Sequence, residues 1–323
     1  MLNVGIIGAG LIGKKRAGSL VAGMNLVGGF DPNEAIYDEF RDLFPSKAFD
    51  NAAHLIEKVG QGGLIVVCTP HNLLAPLAKQ ALKAGCHVLI EKPGAINLAE
   101  LFELKVESEK ANCILRIGYN HRFHPGVLKL KDIVTSAAYG DIQLIRARYG
   151  HGGRLGYETE WRAQREISGG GELIDQGSHL IDLSHFLIGP STLEFASLPT
   201  MYWKMDVEDN AFLALSTSGG AKSWLHASWT EWKNLFSFEV FFKTAKAEVS
   251  GLGGSYGPEK MIIHHMEQGL GIPTTREETF VESDSSWALE MSDIMNQING
   301  LQHNGADIDS AIDVFQIIES AYK

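Results

Sequence analysis

Residues 3–13 read NVGIIGAGLIG. An apolar run stops at Gly8, and Gly8, Gly10 and Gly13 then fall as G-x-G-x-x-G before a helical pattern resumes. At a strand-to-helix junction each glycine has a physical reason. The first makes a tight turn, the second lets backbone approach a pyrophosphate, and the third lets helix and strand pack closely. Leu11 and Ile12 lie in the first helical turn, where free N–H groups and the positive dipole end face a phosphate. In a chain with 35 glycines the motif alone is weak. Its place at the head of an alternating strand–helix series gives it weight.

Outward from this loop, short apolar runs at residues 26–30, 64–68, 87–90 and 113–117 alternate with helical patterns near 12–22, 32–43, 52–59, 73–84 and 98–110. Such alternation predicts a doubly wound parallel sheet with helices on both faces, an α/β Rossmann domain over residues 1–120. From residue 121 the style changes. A helix is expected over 125–136, a strand over 142–149, and a helix within 169–183. Strands are expected over 193–197, 211–216, 221–228, 236–242, 247–251 and 261–266, and helices over 286–301 and 308–321. That order predicts an α+β domain with an open, mostly antiparallel sheet over residues 121–323.

Composition narrows the function. Charged residues number 28 basic and 39 acidic, a net charge of -11. This argues against a nucleic-acid partner, and leaves anionic small ligands open. Cys68, Cys86 and Cys113 form no CxxC pair and read as free thiols of a reducing compartment. No metal-ligand spacing stands out. Met1 leads straight into a strand, so no signal peptide is expected. No apolar run approaches the roughly 18–20 residues that span a bilayer. The expectation is a cytoplasmic protein with no membrane association.

Chemistry-bearing residues gather where parallel strands end. Asp31 closes the second strand about 20 residues after the glycines, where a carboxylate accepts ribose hydroxyls and favours NAD over NADP. Asp31 before Pro32 also suits a helix cap, and Lys14, Lys15 and Arg16 next door weaken the exclusion of a 2′-phosphate. Thr69, Pro70 and His71 follow the third strand; they read as cofactor contacts, as a helix start, or as both. Glu91, Lys92 and Pro93 end the fourth. A lysine at that edge can polarise a hydroxyl or carbonyl oxygen, although a surface turn is the bland alternative.

The second domain holds GGGELIDQGSHLIDL at residues 169–183. Asp175 and His179 are four apart, so a helix puts them on one face. His179 suits proton exchange near neutrality. The glycines read as letting this segment approach a nicotinamide. Taken alone, the pair also fits a satisfied histidine and an exposed aspartate. Upstream, residues 151–168 carry Arg154, Tyr157, Trp161, Arg162 and Arg165. Arginine forks and aromatic faces suit an anionic sugar, but Glu158, Glu160 and Glu166 equally suit a salt-bridged surface loop.

In order along the chain stand Gly8-x-Gly10-x-x-Gly13, Glu91-Lys92-Pro93, Gly118-Tyr119-Asn120-x-Arg122-Phe123-x-Pro125 and the run from Gly169 to Asp182. Together they resemble the glucose–fructose oxidoreductase/inositol dehydrogenase (Gfo/Idh/MocA) family. Val207 to Ala211 is similar to the start of a strand in that family's second domain. One departure stands out: a histidine common in the family, four residues after the proline of the Thr-Pro segment, is Leu74 here.

The resemblance implies hydride transfer between NAD(P) and a sugar-like carbinol. It implies Lys92 as catalytic lysine, His179 as acid/base and Asp175 as its support. It is also the basis for counting Asn120 with the cofactor contacts and Arg122 with the substrate contacts. It further implies a homodimer or homotetramer through the second-domain sheet. A nucleotide-activated amino sugar oxidised at the 3-position is the favoured substrate. A keto-deoxysugar reductase, a free-sugar or inositol dehydrogenase, and a non-catalytic NAD(H) sensor are the alternatives.

Overall fold

The computed structural model describes every residue except 46–48, 268 and 281–283. The chain divides into two compact units. The first comprises Met1–Asn120 and Trp287–Ile312, and the second His121–Ser286 and Asp313–Lys323.

The first unit opens with β1 (Leu2–Ile7), α1 (Leu11–Gly18), β2 (Met24–Phe30), α2 (Glu34–Leu43) and α3 (Ala52–Val59). It continues with β3 (Leu64–Val67), α4 (His71–Lys83), β4 (His87–Glu91), α5 (Leu98–Ala111) and β5 (Leu115–Gly118). These five strands are parallel, in the order β5-β4-β3-β1-β2. Strand order therefore reverses between β1 and β3, where open α/β sheets bind ligands. β3 is buried along its whole length, as a strand covered on both faces must be. Asparagine side chains start three of the helices: Asn33, Asn51 and Asn97 accept backbone N–H groups at the heads of α2, α3 and α5. The α2 cap is thus Asn33, and Asp31 is released from that reading.

The second unit carries α6 (Pro125–Thr135), β6 (Ile142–Gly150), a single helical turn α7 (Arg165–Ser168), a π-helical turn at Leu173–Gly177 and α8 (Ser178–Ile188). Then follow β7 (Thr192–Ser197), β8 (Asn210–Ser216), β9 (Lys222–Ser228), β10 (Leu235–Phe242), β11 (Ala245–Ser250), β12 (Glu259–His265) and β13 (Thr274–Phe280). The sheet order is β13-β12-β11-β10-β6-β9-β8-β7. Among the described residues of this sheet, only β6 and β9 pair in parallel; every other neighbouring pair is antiparallel. Burial alternates along β6: Ile145, Ala147 and Tyr149 point inward, Arg146 and Arg148 outward. One face is thus core and the other open. β13 escaped the sequence reading because TTREETF has no apolar alternation, as befits an edge strand.

The chain closes with α9 (Ser286–Ile298), β14 (Ala306–Asp307) and α10 (Ile308–Ala321). The expectation of two consecutive domains is amended here, since residues 287–312 belong to the first unit. Met291 and Ile294 of α9 enter the core of Val4, Ile6, Phe40 and Leu64, and β14 adds an antiparallel edge to β5. Buried charges fasten the same segment. Arg16 Nη1 lies 2.5 Å from Glu290, and Arg116 Nη2 lies 2.5 Å from Asp293.

Candidate functional site

In the first unit, the ends of β1, β2 and β3 converge on the glycine loop. Gly8 N–H donates to the Phe30 carbonyl at 2.9 Å, and Cys68 N–H to the Ile7 carbonyl at 2.7 Å. Gly8 has φ +91°, and a Cβ there would sit 2.6 Å from the Cys68 carbonyl oxygen and 2.9 Å from Thr69 N. A Cβ on Gly13 would meet the Gly8 carbonyl at 2.0 Å. Those two glycines are forced by the fold. Gly10 differs, because a Cβ there would meet nothing within 4 Å. Gly10 is also the N-cap of α1 and has no side-chain cap bond. The N-cap of the helix therefore supplies no side-chain acceptor to its first N–H groups, beside open space at Gly10. Asp31 Oδ2 accepts from Ala9 N–H and its Oδ1 from Asn33 N–H, both at 3.0 Å. This fixes the carboxylate beside the loop with acceptor capacity to spare. Open space, uncapped N–H groups and a fixed carboxylate fit a dinucleotide.

Thr69 and Pro70 follow β3 directly, and Pro70 is the N-cap of α4, with His71 buried as its first residue. Leu74 lies in the core. Two expectations about neighbouring charges are corrected. Arg16 is completely buried and lies 2.5 Å from Glu91 as well as from Glu290, so it is withdrawn from any 2′-phosphate. Glu91 is engaged by that same guanidinium, so its carboxylate is held in an internal ion pair. Lys14 pairs with Glu39 at 2.5 Å. Lys92 stands half-buried just past β4, and the Lys92–Pro93 peptide is cis. Asn120 is buried at the end of this unit.

In the second unit, the π-helical turn and α8 carry the acid and the imidazole. π turns recur at functional sites because they re-aim side chains out of the regular helical register. Asp175 and His179 are both buried, which rules out a solvent-facing aspartate. Arg162 Nε lies 3.4 Å from Asp175 Oδ2, and its guanidinium covers the Trp161 ring at 4.3 Å. His179 stacks on His121, with ring centroids 3.8 Å apart. Tyr149 stands 5.2 Å from His121 and 6.1 Å from His179. Its phenol hydrogen-bonds to Tyr256, which also accepts from Gln176 Nε2 at 3.3 Å. Burial, together with the nearby carboxylates Asp175 and Glu172, holds both phenols protonated. Tyr149 is pushed well above its usual range and Tyr256 up to about 12.

His121, Tyr149, Gln176 and Tyr256 were not among the expected site residues. His121 hides at the unspecified place between Asn120 and Arg122, and Tyr256 lies 77 residues from His179 in sequence (256 minus 179). Only the sheet brings Tyr149 and Tyr256 together.

Other expectations change. Arg122 is buried and grips Asp182 through two bonds, Nε to Oδ2 at 2.9 Å and Nη2 to Oδ1 at 2.6 Å. Such a bidentate pair anchors α8 internally, so Arg122 is corrected from substrate contact to scaffold. Tyr157 is likewise a core residue, packed against Trp229 and Trp203 at 5.0 and 5.6 Å. Arg154 pairs with Glu160 at 2.7 Å and Arg165 covers the Tyr322 ring. The glycine run also has a steric cause within the chain. A Cβ on Gly170 would lie 1.9 Å from the Tyr322 hydroxyl, and one on Gly171 would lie 2.1 Å from the Glu208 carbonyl oxygen. Glu208 Oε1 accepts from Gly171 N–H, Leu173 N–H and the Tyr322 hydroxyl at 3.0, 3.1 and 2.7 Å. Next to it, Asp209 gathers the N–H groups of Met201, Tyr202 and Trp203. The segment from Val207 to Ala211 is thus the hub that folds the site loop.

A nucleotide-cradling α/β unit, joined in sequence to a unit with a buried acid–imidazole pair, defines a dinucleotide-linked oxidoreductase architecture. Residues 2–119 match the family model described as oxidoreductase family, NAD-binding Rossmann fold. Residues 127–248 match the GFO/IDH/MocA C-terminal domain. The chain belongs to the GFO/IDH/MocA oxidoreductase family. It is 32% identical over 191 residues to glucose-6-phosphate 3-dehydrogenase of Bacillus subtilis, covering 58% of this chain but only 54% of that protein. It is 24% identical over 278 residues to D-glucoside 3-dehydrogenase of Escherichia coli, covering 80% and 76%. It is 25% identical over 300 residues to UDP-N-acetylglucosamine 3-dehydrogenase of Acidithiobacillus ferrooxidans, covering 92% and 88%. A solved structure of the last superposes with a TM-score of 0.81 at 22% identity, over 99% of this chain and 96% of that one. Among the described residues, no helix is long and apolar enough to cross a membrane.

Proposed function

We propose that the chain is an NAD-dependent dehydrogenase that oxidises a secondary hydroxyl of a sugar at its 3-position. The observation that carries this reading is the burial of Asp175 in a π-helical turn and of His179 just after it, in a chain whose other unit is an NAD-binding fold. Gly10, Leu11, Ile12 and Gly13 would hold the pyrophosphate, and Asp31 the adenosine ribose. When bound, NAD supplies the hydride acceptor. Lys92 stabilises the alkoxide that develops on the substrate oxygen. His179 takes the hydroxyl proton, and Asp175 orients the imidazole or the substrate. The 3-position is supported by the similarity to three 3-dehydrogenases. A nucleotide-activated amino sugar is the substrate this reading favours, supported by the likeness to UDP-N-acetylglucosamine 3-dehydrogenase along 92% of the chain.

The test is NAD reduction, followed by absorbance, on UDP-N-acetylglucosamine, free N-acetylglucosamine, glucose 6-phosphate, simple glucosides and inositols. Turnover that disappears in Lys92→Met and in His179→Ala supports the reading. Tight NAD binding without turnover on any of them, in either direction, replaces the enzyme with a sensor. For assembly, the reading is a homodimer or homotetramer through the open face of the second sheet, where half-exposed Phe195 and Trp224 stack. A monomer in sedimentation overturns that part.

A further inference from the structure

We infer that His121 is a positioning residue for His179, setting the plane of the acid/base imidazole by face-to-face stacking. The inference rests on the proposed function for its catalytic consequence and on geometry for its substance. The two rings lie 3.8 Å apart at an interplanar angle of 28°. A ring that orients another must itself be held, and His121 is held from several elements. Tyr149 of β6 packs on it at 5.2 Å and Phe236 of β10 at 6.0 Å. His124 closes edge-on at 5.5 Å. His124 is fixed in turn, because its Nδ1 lies 3.0 Å from Glu259 Oε2, and the other oxygen of Glu259 accepts from Gly126 N–H at 2.6 Å. A carboxylate on β12 thus anchors a row of three imidazoles, His124, His121 and His179, that ends at the acid/base.

His179 needs this support because of where it sits. It lies one residue into α8, directly after the π turn, where regular i→i+4 packing begins again. Proton transfer at an imidazole nitrogen demands a fixed ring plane, and small misplacements are costly to rate. Stacking fixes the plane without occupying a ring nitrogen, so it does not compete with proton transfer.

Two variants separate positioning from mere packing. His121→Phe keeps a stacked ring and loses the nitrogens; His121→Ala loses the stack. On the full chain without cofactor, NMR of the His179 ring protons reads the stack directly. An upfield ring-current shift should persist in His121→Phe and vanish in His121→Ala. With NAD and the best substrate, His121→Ala should lower kcat by about tenfold to a hundredfold, with the KM for NAD unchanged and a larger primary isotope effect. His121→Phe should restore most of kcat. His179 shifts that are identical in all three proteins overturn the inference, and so does an equal kcat. Loss of activity that tracks loss of folded protein in thermal melts also overturns it. A wild-type chain with the ring-current signature but no turnover refutes the proposed function and with it the catalytic role of the stack.

Discussion

The two glycine clusters, Gly8-Gly10-Gly13 and Gly169-Gly170-Gly171, look alike as text, yet Gly10 differs in cause from Gly170 and Gly171. Around Gly10 the space that a side chain would fill is empty. Around Gly170 and Gly171 it is filled by the chain itself, by the Tyr322 hydroxyl and the Glu208 backbone. Gly10 borders open space; Gly170 and Gly171 make room for the chain's own fold. A glycine-rich motif beside a site is therefore not evidence of ligand approach until the occupant of the missing Cβ is known.

The comparison breaks most visibly at Gly171. Alanine there drives a Cβ to 2.1 Å from one backbone oxygen and 2.8 Å from a backbone nitrogen, neither of which can rotate away. Gly171→Ala should destabilise the second unit by about 3 kcal/mol or more, read by urea unfolding or by loss of soluble protein. Gly170→Ala clashes instead with a side-chain hydroxyl. Its cost should shrink in a Tyr322→Ala background, a coupling that a double-mutant cycle measures. Equal costs in both backgrounds would show that Tyr322 is not the obstacle.

What could be read from the residues follows the same division. The parallel sheet was legible because each strand–helix alternation is local, and so was the glycine loop, whose geometry belongs to a single turn. The π turn was not: Leu173, Ile174, Leu180, Ile181 and Leu183 repeat at spacings that an α-helix also satisfies. Asp175 and His179 could be singled out by type and spacing. Their neighbours could not, since Tyr149 lies on β6 and Tyr256 in the turn between β11 and β12, far apart in sequence. The arginines misled most. Arg16, Arg122 and Arg154 advertise anion binding in the sequence, yet each already holds a carboxylate of the chain. In an acidic protein an arginine finds internal partners easily, and sequence alone does not show which.

Acid offers a second, smaller separation of the regions. His185 sits on α8, with its Nε2 2.8 Å from the Ser191 hydroxyl. Burial, and then Arg122, lower its pKa to about 4. The folded chain therefore favours the neutral ring. The resulting stability is present above the unfolded value of about 6.5 and is lost as pH falls from there towards 4, at most roughly 3 kcal/mol. Fluorescence of the buried Trp229 should report falling stability of the second unit across that window. His185→Gln should flatten the acid limb. A limb of unchanged slope in that variant would assign the acid sensitivity to other groups.

The smallest effect on the fold, and the sharpest on binding, belongs to Gly10. Its φ of -68° and ψ of -161° suit alanine, and an added methyl touches no protein atom. Gly10→Ala should leave the melting temperature of the NAD-free chain where it was, since surface changes of this kind stay within about 0.5 kcal/mol. Calorimetric affinity for NAD should nevertheless weaken by about tenfold to a hundredfold, the equivalent of roughly 1–3 kcal/mol of overpacking against a pyrophosphate. The dissociation between the two readouts is the point. An NAD affinity unchanged by the methyl would mean that the pyrophosphate does not lie over Gly10. A lowered melting temperature would mean that this glycine, like Gly170 and Gly171, is there for the fold.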